Sequence, residues 1–361
     1  MRRRDFTSFC ALPLLTHAQA KPDLRWHDAR QLRVEGQGWS DTASPYDRLP
    51  ARAESLVRRE VWDLSRYSSG IAVRFVTDAT TLHARWRLRR EQLSMPNTAG
   101  MAHSGLDLYV RPSPGSWRWL GFAPPTKFPD NESPLVGAIP AASREYLLYL
   151  PLFNAVERLE IGIPAGSRIA PAPARQRKPI LFYGTSITHG AGASRAGMTH
   201  ASILGRRFDR EVINLGFSGN GRMEIEIARL LTELDPAVYV IDCLPNIVAA
   251  QVRERTRPLV EELRRARPTT PIVLVEDRNY QDAFLVETKR KRNEQSQAAL
   301  REVFAGFKKQ GLKNISYLPA AGLLGRDGEA TIDSSHPTDL GYVRQADAFE
   351  RVLRRILKPA V

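Results

Sequence analysis

The feature that most constrains this chain is a change of hydropathy rhythm near residue 172. Before it, short stretches alternate apolar and polar residues one by one: Gly70 to Val76, Leu82 to Leu88, Leu106 to Val110, Ser116 to Phe122, Tyr146 to Leu150 and Val156 to Ile163. A period of two with turn residues between the stretches describes strands that bury one face, and several in succession describe an antiparallel β-sandwich. After the change, wholly apolar strands alternate with helical stripes. Pro179 to Tyr183, Val212 to Leu215, Ala237 to Asp242, Pro271 to Val275 and Asn314 to Leu318 read as buried strands. Met223 to Leu234, Ile247 to Arg267 and Asp282 to Gly311 read as helices, and Phe349, Val352, Leu353, Ile356 and Leu357 form a last helical stripe. Strand–helix alternation predicts a parallel sheet with helices on both faces, a three-layer α/β/α domain. Ala165 to Lys178, rich in proline and basic residues, reads as the join. The expected organisation is a leader over 1–20, a β-sandwich over 21–172 and an α/β domain over 173–361.

Composition bounds the alternatives. The chain has 361 residues and a formal charge of +14, from 53 basic and 39 acidic residues. Excess positive charge attracts anions. Here, however, the arginines lie beside acids, as in Arg253-Glu254-Arg255, and no nucleic-acid-reading module is recognisable. A solvated arginine-rich surface is the expectation, and nucleic acid is not an expected partner. The two cysteines, Cys10 and Cys243, permit neither a metal cluster nor a disulfide framework. Cys243, in an apolar run, reads as a small buried hydrophobe. Arg2-Arg3-Arg4, the apolar Phe9 to Leu15 and Ala18-Gln19-Ala20 have the layout of an export signal, and Arg3-Arg4-Asp5-Phe6 resembles its twin-arginine variant. The expected location is therefore periplasmic or secreted. Beyond the leader no apolar run is long enough to span a bilayer.

In a parallel α/β sheet the loops after the strands gather on one edge. Those loops carry Ser186 after the first strand, Gly216 to Gly221 after the second, Asn246 after the third, and Asp333 and His336 after the fifth. A hydroxyl, flexible backbone amides, a carboxamide and a carboxylate–imidazole pair make up the inventory for acyl transfer. Asp333 and His336 are spaced so that one short loop can hold both, and Pro337 suits the first turn of the final helix. Gly184-Thr185-Ser186-Ile187-Thr188 lacks the second glycine of G-x-S-x-G, so the sharp elbow of α/β-hydrolases is not indicated. His189 and Arg278 lie on loops of the same edge. Either could contact substrate, or His189 could be a bystander and Arg278 part of a salt-bridged loop. His83 and His103 have no ligand-spaced partners, and no metal or other cofactor is expected. All six tryptophans precede residue 120, and Trp117 and Trp119 are placed to share one face of a strand. Core packing accounts for most of them, although aromatic faces also stack on sugars.

These blocks resemble the SGNH (GDSL-like) hydrolase superfamily. Gly184-Thr185-Ser186-Ile187 stands where that family has Gly-Asp-Ser-Leu, followed by Gly219, Asn246 and Asp333-x-x-His336. The resemblance implies a flavodoxin-like sheet, Ser186 as nucleophile, His336 as base and Asp333 as its orienter. It also implies an oxyanion hole from the N–H groups of Ser186 and Gly219 and the amide of Asn246. Two departures stand out: Thr185 replaces the aspartate, and Leu244-Pro245-Asn246 replaces Gly-x-Asn. The second, with Gly105-Leu106-Asp107-Leu108-Tyr109 and Arg48-Leu49-Pro50-Ala51, resembles a two-domain bacterial branch whose N-terminal β domain, here jelly-roll-like, carries a Gly-x-Asp-Leu-Tyr signature. The expected function is an exported serine esterase acting on small acyl, notably acetyl, esters of a carbohydrate. A lipid or thioester hydrolase and a non-catalytic carbohydrate-binding protein are the rivals.

Overall fold

The computed structural model describes residues 23–112 and 115–357; the expected leader, with Cys10, lies outside them. Ten strands build the first half: β1 (Leu24–Asp28), β2 (Arg33–Glu35), β3 (Ala72–Thr77), β4 (Leu82–Leu88), β5 (Leu106–Arg111), β6 (Arg118–Ala123), β7 (Asp130–Val136), β8 (Arg144–Tyr149), β9 (Val156–Pro164) and β10 (Ile169–Pro171). Two short helices, α1 (Arg59–Ser65) and α2 (Gly100–Ser104), interrupt them. The strands form two antiparallel sheets, β1-β9-β4-β7 and β10-β3-β8-β5-β6, with β2 on β3. Their facing sides share one core. Leu82, Ala84, Trp86, Leu88, Leu159 and Ile161 come from one sheet, and Val73, Phe75, Leu106, Leu108, Tyr146 and Leu148 from the other. The alternation of β4 shows why: Leu82, Ala84, Trp86 and Leu88 are buried while His83, Arg85 and Arg87 between them are half-exposed. β7 has no such alternation and carries Pro134. A proline is tolerated there because β7 is an edge strand and takes its register from β4 alone.

The second half contains β11 (Ile180–Gly184), β12 (Val212–Gly216), β13 (Val238–Asp242), β14 (Ile272–Val275) and β15 (Ile315–Leu318). Its helices are α3 (Ser186–His189), α4 (His200–Phe208), α5 (Ile225–Thr232), α6 (Ala249–Ala266), α7 (Glu287–Lys309) and α8 (Asp339–Ile356). All five strands are parallel, in the order β12-β11-β13-β14-β15. This is the flavodoxin-like order. The central strands β11, β13 and β14 are buried on both faces, as continuous apolar runs require. Leu181, Tyr183, Tyr239, Ile241 and Leu274 pack under α5, α6 and α7. Phe182, Val240, Val273 and Val275 pack under α4 and α8. The sandwich and the three-layer domain are thus both present. Pro337 falls outside the last helix, which starts at Asp339 with the Thr338 side chain as its cap.

The halves interlock beyond their join. Trp39, Leu49, Ala53, Val61 and Trp62 of the first half belong to the hydrophobic core of the second. Arg48 is fully buried there. Its guanidinium donates to the carbonyls of Leu64 (2.6 Å), Tyr67 (2.8 Å), Asn214 (3.0 Å) and Gly216 (2.8 Å). The Gly-x-Asp-Leu-Tyr stretch is a second rivet. Asp107 accepts from Gly197 N–H at 2.8 Å and Arg195 at 3.0 Å, and Arg195 also donates to the Tyr109 hydroxyl. A Cβ on Gly197 would lie 2.4 Å from the Tyr109 ring, so only glycine permits this approach.

Between β11 and α8 sits His200, buried, stacked on Tyr342 and Phe349, with neither ring nitrogen hydrogen-bonded. Burial, helped by the Arg278 charge, lowers its pKa to about 3 from an ordinary 6.5. A depressed histidine contributes stability that is complete above pH 6.5 and is lost as pH falls toward 3. His200→Phe should therefore flatten the acid limb of stability, sparing roughly 2 kcal/mol between pH 6.5 and 4.5. Urea midpoints across that range test this; parallel acid limbs for variant and parent would refute it.

Candidate active site

Ser186 is the first residue of α3, directly beyond β11. Thr185 caps that helix, its hydroxyl accepting from Ile187 N–H at 3.3 Å. A short polar side chain at this position does what an N-cap does, which accounts for threonine where the resembling family carries aspartate. Thr188, one turn on, donates to the Asp242 carboxylate at 3.2 Å and ties α3 to the end of β13. Ser186 is 8% exposed. Its Oγ lies 2.8 Å from His336 Nε2. His336 Nδ1 lies 2.6 Å from Asp333 Oδ2. Asp333 Oδ1 accepts from the N–H groups of His336 (2.8 Å) and Ser335 (3.1 Å). Burial pushes the Asp333 carboxyl up, but these donors and the imidazole outweigh it and hold its pKa below the usual range. The imidazole is thereby fixed by a lasting negative charge with its other nitrogen on the serine.

The loop that holds the pair is itself braced. Ser334 takes the left-handed conformation (φ 75°), and its carbonyl accepts from Gln281 N–H at 3.0 Å. The first half reaches in as well: Asn97 Nδ2 donates to Asp333 Oδ2 at 3.4 Å, and Thr98 Oγ1 accepts from Gly192 N–H at 3.3 Å.

The expected oxyanion donors lie on the same edge. Ser186 N–H opens α3, where a helix leaves its amides without intrahelical partners. Phe217 N–H donates to Gly184 carbonyl at 2.9 Å, seating the glycine loop beside the serine. Gly219 has φ 70°, a value that favours glycine, and an added Cβ would meet nothing within 4 Å. Arg222 Nε donates to its carbonyl at 3.0 Å, and Arg58 of the first half donates to Asn220 Oδ1 at 2.9 Å. In the orientation that satisfies both of its polar atoms, the Asn246 carboxamide oxygen accepts from Asn220 N–H (3.0 Å) and Gly221 N–H (3.2 Å).

Two residues read as possible substrate contacts are elsewhere. His189 is fully buried; its Nε2 bonds the Leu152 carbonyl at 2.7 Å and its ring stacks on Phe153 at 4.2 Å. It packs the join between the halves, against Leu152 and Phe153. Arg278 is also buried, in a bidentate pair with Asp242 and with Nε on Gln345 at 2.7 Å. Three of its five N–H groups are bonded inside the protein and the side chain is buried, so it does not face substrate. Conversely, Asn97 carries no signal in the sequence, lying 236 residues from the carboxylate it meets. Among the described residues no group of three or more His, Cys, Asp or Glu could hold a metal.

A parallel α/β/α sheet with this serine, histidine and aspartate on its carboxyl edge defines a hydrolase acting on ester bonds. The chain belongs to the GDSL-like lipase/acylhydrolase family, which residues 177–354 match, and residues 24–169 match the GxDLY N-terminal domain of SGNH-type esterases. Among solved structures, a GDSL-like lipase from Bacteroides ovatus is 30% identical with a TM-score of 0.89, covering 93% of this chain and 98% of that one. A salicylyl-acyltransferase from a tetracycline biosynthetic pathway shares the fold at 19% identity and a TM-score of 0.76, covering 94% of this chain and 99% of that one. So does an acetyl xylan esterase from the rumen bacterium Butyrivibrio proteoclasticus, at 11% and 0.58, covering 92% and 98%. No match was found among curated proteins.

Proposed function

We propose that this protein is an exported esterase that removes acetyl or other small acyl groups from a carbohydrate. The observation that carries the hydrolytic part is the continuous chain of hydrogen bonds from Ser186 Oγ through His336 to Asp333. His336 Nε2 takes the Ser186 proton as Oγ attacks the ester carbonyl. The tetrahedral oxyanion is held by the N–H groups of Ser186 and Gly219 and by Asn246 Nδ2, each donor contributing a few kcal/mol. His336 then protonates the departing alcohol, leaving an acyl-serine. Water attacks that ester with the same base, releasing the acid and restoring the serine. The carbohydrate part is supported by the fold shared with an acetyl xylan esterase, and export by the leader pattern over residues 1–20.

A second reading, a preference for longer acyl chains, has one observation in its favour. Val248, Phe284, Leu285, Ile332 and Leu340 are exposed, and all lie on or beside loops of the catalytic edge. One panel decides: acetylated xylan, acetylated mannan and acetylated monosaccharides against chromogenic esters from acetate to decanoate. The proposal expects release of acetate from a polysaccharide and a fall in kcat/KM beyond short chains. A rise toward decanoate with no acetate released would replace it with the second reading.

A further inference from the structure

On the β domain, Trp119 and Phe122 are 47% and 39% exposed. Their rings lie within 18° of parallel with centroids 6.4 Å apart. Residues three apart on a regular strand point to opposite faces. Here β6 carries a bulge: Leu108 pairs with Gly121 and Tyr109 with Trp119, so Leu120 is the extra residue. Phe122, opposite Asp107, and Trp119, opposite Tyr109, are thereby brought to one face. That face is the one that meets the hydrolase half. The interior of the sandwich takes Leu106, Leu108 and Val110 instead. Among the described residues no other two exposed rings touch each other.

The platform is built rather than incidental. The indole N–H of Trp119 donates to Asp107 at 2.9 Å. The Arg195 guanidinium sits 5.4 Å from the Trp119 ring centroid. With its only polar atom engaged, Trp119 offers a ligand the part of its ring that Arg195 leaves open, and its orientation is set before binding, which lowers the ordering cost. The loop that carries Arg195 continues to the catalytic loop. Arg195 lies on the loop after α3, whose Ser194 N–H donates to Asp339 at the start of α8 (2.9 Å). A Cβ on Gly192 of that loop would meet the carbonyl of Pro337, next to His336, at 2.5 Å.

We propose that Trp119 and Phe122 stack a pyranose ring of the ester-bearing polysaccharide, a sugar subsite on the β domain beside the loop that follows α3. The C–H face of a pyranose suits a pinned aromatic pair. The proposal rests on the carbohydrate reading above.

The full chain bearing Ser186→Ala, with and without Trp119→Ala and Phe122→Ala, would be titrated with each polysaccharide of the panel, acetylated and deacetylated. Indole fluorescence and affinity electrophoresis report binding. The expected result is saturable binding that weakens roughly tenfold in the double substitution, the scale of one or two aromatic contacts. In the Ser186 background, the same pair of substitutions should lower kcat/KM on the acetylated polysaccharide by a similar factor and leave chromogenic acetate hydrolysis within twofold. Equal losses on polymer and chromogenic ester would make the rings structural and overturn the subsite. So would glycan binding indifferent to the substitutions, or a substitution that only splits a dimer. Glycan binding without turnover of any ester would sink the esterase reading while leaving the platform; turnover of polymer unaffected by the substitutions would do the reverse.

Discussion

Ser186→Ala is expected to lower kcat on a chromogenic acetyl ester by on the order of a million-fold, the loss seen when a nucleophile is removed from a residue set that acts as a unit. The size follows from the site. Without Oγ no acyl-enzyme forms, and His336 has no hydroxyl within 2.8 Å to deprotonate. The oxyanion donors remain, so a residual rate above that of water alone should persist. The fold should be indifferent, since one oxygen is lost from a side chain at the mouth of the site and Thr185 still caps α3. Steady-state hydrolysis, labelling by a serine-directed phosphonate and thermal unfolding provide three readouts. Loss of turnover and labelling at unchanged Tm is the expected pattern. Turnover within tenfold of the parent would remove Ser186 from the mechanism.

The largest stability effect should come from Arg278→Ala. Arg278 Nη2 lies 2.7 Å from Asp242 Oδ2, and its other terminal nitrogen bonds Oδ1. Both side chains are essentially inaccessible. Truncating the arginine strands a carboxylate inside the protein, with only the Thr188 hydroxyl left to it among the described residues. An uncompensated buried charge costs about 3–5 kcal/mol. The same charge pair anchors Thr188, so α3 and its serine should loosen and kcat should fall with the stability. Combining Arg278→Met with Asp242→Asn removes both charges and should recover much of the loss, because the cost lies in the orphaned charge rather than in the missing bond. Urea unfolding measures both variants. A midpoint shift worth under 1 kcal/mol for Arg278→Ala, or a double variant no better than the single one, would contradict the argument.

These two residues mark different limits of what could be read in advance. The meeting of Ser186 with His336 and Asp333 was legible because the serine and the Asp–His pair each follow a separate apolar strand, and a parallel sheet delivers such loops to one edge. Arg278 and His189 sit on or beside the same edge, yet their side chains turn inward to Asp242 and to Leu152 and Phe153. Loop position sets where a backbone arrives, not whether its side chain meets solvent or another buried group. β7 was invisible because an edge strand can borrow its register from its neighbour and need not alternate. Cys243 is buried, as its apolar run suggested.

The sequence by itself determined the two architectures and the chemical inventory of the edge, because strand and helix periods are local and the catalytic blocks are contiguous. The tertiary structure alone decided how the halves combine. Arg48 binds the carbonyls of Asn214 and Gly216, Asp107 binds Gly197, and Asn97 meets Asp333 across long stretches of chain. It also decided that a single bulge at Leu120 turns two aromatic residues to the same face. Contacts of this kind depend on which surfaces meet after each half has folded, and no periodicity along the chain encodes that meeting.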